Sequence, residues 1–257
     1  MGHSSFHRQL RKTQKRLFHW AVGIFIIVIA ASLAFYVYDY YTYNYDSWVD
    51  PEKYPLLGID VSNHQGTIDW TQVRGARVEF AFIKATEGAD FKDQSFARNV
   101  RKARENNIKI GAYHFFRFDK SGEEQARNFI DSYDFQIWDF PPVLDVEEYR
   151  NFIRTKNISL ETSEIKQYLE ILQTHYNVKP IIYTNPKTYA SHIKGHFDEY
   201  PLWIANLKGE PDDYTWLFWQ YTHRGELPGI EGDVDLNTFN GTFENMVLYL
   251  RKSHKMT

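Results

Sequence analysis

From Leu56 to Phe239 the chain alternates short apolar runs with stretches of helical periodicity, the pattern of successive βα units. LLGIDVS reads as a first strand and leads through NHQG to a short helical turn near Trp70. FAFIKAT is the second strand. It is followed by a helix over about Asp93 to Asn106, whose Phe96, Val100 and Ala103 share one face. KIGAYHFF is the third, and the next helix opens near Ser121 with Glu123 and Glu124 in its first turn and Phe129, Ile130 and Tyr133 inward. PPVLDVE is the fourth. A loop rich in Arg and Asn leads to a helix over about Thr162 to Tyr176, with Ile165, Leu169, Leu172 and Tyr176 at i, i+4, i+7, i+11. KPIIYTN is the fifth strand, and NPKTYASHI is a short helix with Pro186 in its first turn. Beyond Gly195, PLWIANL, TWLFWQYT and GDVDLNTF follow one another with turn-rich spacers too short for full helices. Eight strands with five helices predict a closed α/β barrel whose last three crossovers are degenerate. The tail FENMVLYLRKSHKMT is expected to be a short surface segment.

The N-terminal pattern is different. HRQLRKTQKRLFH, residues 7 to 19, carries basic residues and no acid, and an uncharged apolar run from Trp20 to Tyr38 follows, about long enough to span a bilayer. The predicted organisation is a basic cytoplasmic segment 1–19, a transmembrane anchor 20–38, a polar aromatic tether 39–55 and a barrel domain 56–257. Trp20 and the cluster Tyr36, Tyr38, Tyr40 and Tyr41 are placed at the two interfaces. A cleaved signal peptide is the alternative, because Ala31 to Ala34 (ASLA) resembles a cleavage site; the length of the run favours the retained anchor. Either way the barrel lies outside the membrane, periplasmic or extracellular.

Composition narrows the function. A net charge of -3 with 25% charged residues gives no basic excess for nucleic acid. The chain has no cysteine, which excludes disulfides, thiolate metal sites and a cysteine nucleophile. Its 7 Trp, 18 Tyr and 19 Phe exceed ordinary usage and suit both a packed core and a groove that stacks on sugars.

In a parallel barrel the strand C-termini converge on one mouth, where such folds keep their chemistry. The strands bring Asp60, then Lys84 and Glu87, then Tyr113 and His114, then Asp145 and Glu147 to that mouth. Tyr183 and Asn185, Trp203 and Asn206, Gln220 and Tyr221, and Asp233, Asp235 and Asn237 complete it. Asp145 and Glu147, two apart on a strand, aim at one side. Carboxylates for acid/base work, aromatics for sugar faces and amides for hydroxyl and acetamido groups suit a carbohydrate site. Tyr113, Lys84, Trp203, Asn206 and Gln220 are the expected substrate contacts. His114 is expected to be packed or hydrogen-bonded instead of a base, Asp60 has a purely structural alternative, and Trp216 and Trp219 suit core as well as groove. A hard cation among Asp60, Asp145, Glu147 and Asp235 is disfavoured, since no spacing matches a ligand motif. No cofactor is expected.

GIDVSNHQGTIDW, FAFIKATEG, GAYHFF, VLDVEEY, PIIYTN, LWIAN, FWQYT and GDVDLN, in that order, resemble the glycoside hydrolase family 25 lysozymes, the N-acetylmuramidases. The resemblance covers about Leu57 to Phe239. It implies a modified TIM-like (β/α)5(β)3 barrel that cleaves the β-1,4 bond between N-acetylmuramic acid and N-acetylglucosamine in peptidoglycan glycan strands. By position the acid falls on Glu147, its companion carboxylates on Asp60, Asp145 and Asp235, and a substrate contact on Tyr183. Leu207 stands where the family often has a further aromatic, which puts a platform at that edge in doubt. Asp145 is left open between nucleophile and orienting group for a substrate acetamide. Glu148 is expected to point away. The rivals are an inactive membrane-anchored peptidoglycan-binding protein and a metal-dependent phosphodiesterase or deacetylase. The enzyme is expected to act as a monomer.

Overall fold

The computed structural model describes residues 3–43, 49–133, 139–148 and 157–254. The chain forms two compact units, Met1–Tyr45 and Asp46–Thr257. The first contains one helix, α1 (His3–Tyr43). Within it Leu17–Val37 is a 21-residue apolar stretch, about 31 Å long at 1.5 Å per residue and so matched to a hydrocarbon core. The helix runs through the basic segment and continues to Tyr43, into a stretch expected to be an irregular tether. The rest of that expectation, 44–48, lies outside the described residues, as do the interfacial side chains of Tyr38, Tyr40 and Tyr41 and the Arg/Asn-rich loop 149–156.

The second unit is the barrel. In chain order its elements are β1 (Leu57–Val61), α2 (Trp70–Gly75), β2 (Val78–Glu87), a two-residue β3 (Phe91–Lys92), α3 (Phe96–Glu105), β4 (Lys109–Phe115), α4 (Gly122–Ile130) and β5 (Val143–Val146). Then come α5 (Ile158–Tyr176), β6 (Ile181–Thr184), α6 (Pro186–Thr188) continuing as a π-helical turn Tyr189–Ile193, β7 (Leu202–Ala205), β8 (Phe218–Gly225), β9 (Val234–Phe239) and α7 (Phe243–His254). The helices begin where side chains satisfy free N–H groups: Asp69 for α2, Ser121 for α4, Asn157 for α5 and Asn185 for α6.

The strands close in the order β1-β2-β4-β5-β6-β7-β8-β9, with β9 returning to β1. All neighbours are parallel except those of β9, which is antiparallel to both β8 and β1. This corrects the expectation of a uniformly parallel barrel: the mouth receives the beginning of β9, not its end. Only the residues between Gly225 and Val234 separate β8 from β9, too few for a parallel crossover.

Strand alternation divides the side chains between two cores. On β5, Val143 faces the barrel interior while Leu144 and Val146 join the outer layer against the helices. The interior is aromatic. Phe82 stacks on Trp203 with ring centres 4.3 Å apart, with Phe80 and Phe218 edge-on and Phe140 tilted against it. Gly58 makes room for this, since a Cβ there would fall 2.2 Å from the Phe80 ring.

The C-terminal segment is also corrected. It is a 12-residue helix whose Met246 and Leu250 are buried in the same cluster as Phe80, Phe218 and Phe239. It covers the end of the barrel at which β9 finishes, opposite the mouth. Its i, i+4 apolar pair was present in the sequence.

Candidate active site

The inward positions of the upper strands assemble an acidic chamber. Asp60 on β1 lies in register with Asp235 on β9, the first buried and the second half-buried. Asp60 Oδ2 accepts from Asn237 Nδ2 at 2.8 Å and from Gln220 Nε2 at 3.0 Å. Each amide is oriented by a second bond: Trp203 Nε1 donates to Asn237 Oδ1 at 2.8 Å, and the Tyr183 hydroxyl donates to Gln220 Oε1 at 2.8 Å. With their oxygens occupied by donors, both amides must offer NH2 to Asp60. Two side chains thus hold one carboxylate oxygen, and two more hold those in place.

Asp235 hydrogen-bonds to Asp60 and its proton affinity is pushed up to about 9, first by burial and then by the Asp60 charge. Burial also raises Asp60, but its bonds from Asn237, Asp235 and Gln220 oppose the rise. Of the two, Asp235 is the one that burial and the Asp60 charge incline to keep its proton, while the amide donors favour the ionised form of Asp60.

Asp145 and Glu147 follow on β5 and the residue beyond it. Burial holds Asp145 well above the usual carboxylate range, with the Glu147 charge adding to it and the Lys84 ammonium opposing. Its Oδ1 is buried without a hydrogen-bond partner. Glu147 is raised by burial first and also by the Asp60 charge, against the hydrogen bond from Asn185 and the nearby Tyr183 phenol, whose own hydrogen goes to Gln220. Asn185 Nδ2 donates to Glu147 Oε1 at 3.2 Å while its Oδ1 caps α6 through Thr188 N at 3.0 Å. The cap fixes the amide, and the amide holds the acid. Burial thus leads in raising Glu147, and Asp60 supplies the charge that adds to it.

Glu148 points away from the chamber, as expected. It pairs with Lys187, accepts from Ser191 Oγ at 3.1 Å, and its backbone N–H donates to Thr188 Oγ1 at 3.1 Å. α6 and its π turn therefore grip the Glu147–Glu148 dipeptide from both sides.

Several expected substrate contacts have other partners. Trp203 is 2% exposed, stacked on Phe82 and met edge-on by Tyr183, so it floors the chamber and orients Asn237 without offering a sugar-stacking face. Gln220 is spent on Asp60 and Tyr183. The Asn206 amide donates to the Gly209 carbonyl at 3.0 Å, in the loop after β7. Lys84 and Tyr113 do face the chamber: Lys84 acts on Asp145, and the Tyr113 phenol is raised by burial and by Asp60, Asp145 and Asp235. His114, on the outward side of β4, is fully buried between Thr86 and Gln125, a packed histidine as expected. Trp216 and Trp219 belong to an outer cluster with Tyr54. Asn185 and Asn237 were visible as strand-end amides, but nothing local marked the carboxylates they serve. Among the described residues no group of three or more His, Asp or Glu has an arrangement able to hold a metal ion.

An acid of raised proton affinity beside a second, unpartnered carboxyl at a barrel mouth is glycosidase equipment, and comparison with known proteins agrees. The sequence profile described as glycosyl hydrolases family 25 matches residues 59–230. The chain is 41% identical over 208 residues to YegX, an uncharacterised protein of Escherichia coli K12, covering 78% of this chain and 75% of that one. It is 35% identical to lysozyme M1 of Streptomyces globisporus over 73% of this chain and 68% of the relative. Among solved structures, a family 25 glycosyl hydrolase from Bacillus anthracis superposes with a TM-score of 0.74 at 37% identity, covering 79% of this chain and 97% of that one. The bacterial lysozyme from Streptomyces coelicolor superposes at 0.70 and 31% identity, over 77% of this chain and 98% of that one. Motif order, barrel and chamber agree with these relatives, and the chain is a glycoside hydrolase that belongs to glycosyl hydrolase family 25.

Proposed function

We propose that this chain is a muramidase that cleaves the β-1,4 bond between N-acetylmuramic acid and N-acetylglucosamine in peptidoglycan, with Glu147 as general acid. The carrying observation is geometric: Glu147 stands one residue beyond the end of β5, at the mouth, held at 3.2 Å by the neutral Asn185 amide and with its proton affinity raised by burial and by the Asp60 charge, whereas Asp145 lies deeper with a buried oxygen that has no partner. Glu147 is therefore the carboxyl placed to hand a proton to the departing glycosidic oxygen. Asp145 then serves from the other side. Its unpartnered, buried Oδ1 is an acceptor in want of a donor, which favours the role of orienting the substrate's acetamide N–H over direct attack. Either role gives retention of anomeric configuration. Asp60, stabilised by its neutral donors, supplies the fixed negative charge that keeps Glu147 protonated and steadies an oxocarbenium-like transition state.

All of these groups come from one chain, which supports a working monomer. The length of the apolar stretch in α1 and its basic flank support a retained anchor, with the N-terminus cytoplasmic and the barrel on the outer side.

Glu147→Gln should reduce turnover of purified peptidoglycan by about 10³-fold or more, while Glu148→Gln stays within a few-fold. Mass spectrometry of wild-type digests should find muramic acid at the new reducing ends. Reducing-end glucosamine, or a Glu147→Gln variant with near-normal turnover, would overturn the assignment.

A further inference from the structure

One wall of the mouth carries an aromatic feature that bond cleavage does not use. β2 runs on past the chamber and turns back as β3, and the pairing places Phe91 opposite Glu87, Glu87 beside Phe115 on β4, and Phe115 beside Asp145 on β5. The rim therefore reads Phe91, Glu87, Phe115, Asp145 in one continuous row leading away from the reacting centre. Lys84 lies behind this row: its Nζ is 2.7 Å from Glu87 Oε2, 5.0 Å from the centre of the Phe115 ring and 5.5 Å from that of Phe91.

The two-residue strand is tied down for its size. The buried amide of Asn128 donates to both the Gly88 carbonyl (3.0 Å) and the Phe91 carbonyl (3.1 Å). Gly88 N–H donates to Phe115 O and Asp93 N–H to Ala85 O. The turn needs Gly88 in the left-handed region, φ 55°, where a Cβ would also meet Arg117 Cδ at 2.7 Å. Phe91 nonetheless remains 42% exposed. A single exposed apolar residue is ordinary. What sets this one apart is that it is held rigidly, has a cation close to its ring, and stands in register with an active-site carboxyl.

We propose that Phe91 is a distal glycan subsite: its ring stacks on the apolar face of a sugar one or more units from the scissile bond, with the Lys84–Glu87 pair meeting the hydroxyl and acetamido groups at that sugar's edge. A rigid ring binds at little entropic cost, and the neighbouring ion pair supplies both a donor and an acceptor. This inference rests on the muramidase reading, and the test separates the two.

Wild type and Phe91→Ala, as full chains in detergent, are assayed on long peptide-free glycan strands and on the shortest oligosaccharide that wild type cleaves. The expected result is a three- to tenfold fall in kcat/KM on long strands, carried by KM, with less than a twofold change on the short substrate and recovery in Phe91→Tyr. Equal losses on both substrates, or none on either, would overturn the subsite. A long-strand effect seen only when stem peptides are present would assign the row to peptide instead of sugar and overturn it too. If Phe91→Ala lowers the melting temperature, Phe91→Leu, which keeps volume but loses the aromatic face, takes its place with the same expectations. Wild type that releases no muramic reducing ends fails the muramidase reading itself, whatever Phe91 does.

Discussion

His114 makes the stability of this barrel depend on pH in a way that one substitution isolates. The ring is completely buried, with Thr86 Oγ1 2.7 Å from Nδ1, Gln125 Oε1 3.2 Å from Nε2, and Tyr168 stacked at 5.0 Å. Burial lowers its pKa to about 3, with the Lys84 charge adding to the effect and the Gln125 bond opposing it. The folded-state pKa thus lies below the unfolded value of about 6.5. Above pH 6.5 both states hold the ring neutral and nothing is lost. Below it the unfolded chain binds a proton that the folded chain refuses, and stability falls by about 1.36 kcal/mol per pH unit until the folded ring titrates near 3. Between pH 6.5, where the unfolded ring is half protonated, and pH 4.5 that is about 2 kcal/mol, against an ordinary total of about 5–15 kcal/mol. The raised carboxyls of the chamber work in the opposite direction, binding protons more readily in the folded state, so the wild-type curve alone does not isolate the histidine. The difference between wild type and His114→Gln does, because the constant cost of the substitution cancels. Urea denaturation followed by tryptophan fluorescence should show the stability gap narrowing by about 2 kcal/mol from pH 6.5 to 4.5. Parallel curves would refute the reasoning, since they would mean the ring takes up its proton equally well in the fold.

Two further outcomes follow from the chamber and the helix. Asp60→Asn removes the negative charge that raises Glu147, so the Glu147 pKa should fall and the basic limb of the kcat/KM profile should move to lower pH; a limb that moves upward or not at all would show that Asp60 is uncharged in the wild type. With no native cysteine to interfere, an impermeant maleimide applied to intact cells should label a Lys208→Cys variant but not Lys15→Cys if the barrel is exported, and the reverse pattern would invert the proposed topology.

Much of the barrel was legible because each strand carries its own evidence. Alternation in VLDVE announced that Val143, Asp145 and Glu147 share a face, and the mouth then followed from βα order. What escaped was depth along that face and the direction of the last strand. Trp203, Gln220 and Asp60 all point inward, yet only packing decides that Trp203 lies under Tyr183 and against Phe82 while Asp60 stands above. Asp235 arrived at the mouth for a reason other than the one expected. It opens an antiparallel β9, and the short β8–β9 spacer already argued for that hairpin. The C-terminal helix escapes because MVLYL is a short unbroken apolar run without a periodicity of its own, so which of its residues face inward, Met246 and Leu250, is decided only by the open end of the barrel that they cover.

The seam between β1 and β9 gives the chamber a history as well as a shape. Asp60 is met by Gln220 and Asn237, which are 160 and 177 residues further along the chain. No local folding event can bring these groups together, and closing so long a loop is among the slowest steps open to a domain of this size. Until the last strand docks, Asp60 remains a hydrated carboxylate of ordinary acidity, and the field that keeps Glu147 protonated does not exist. Competence to cut a glycan therefore switches on with ring closure itself, and a chain still folding carries an inert set of acids until its final strand and covering helix have docked.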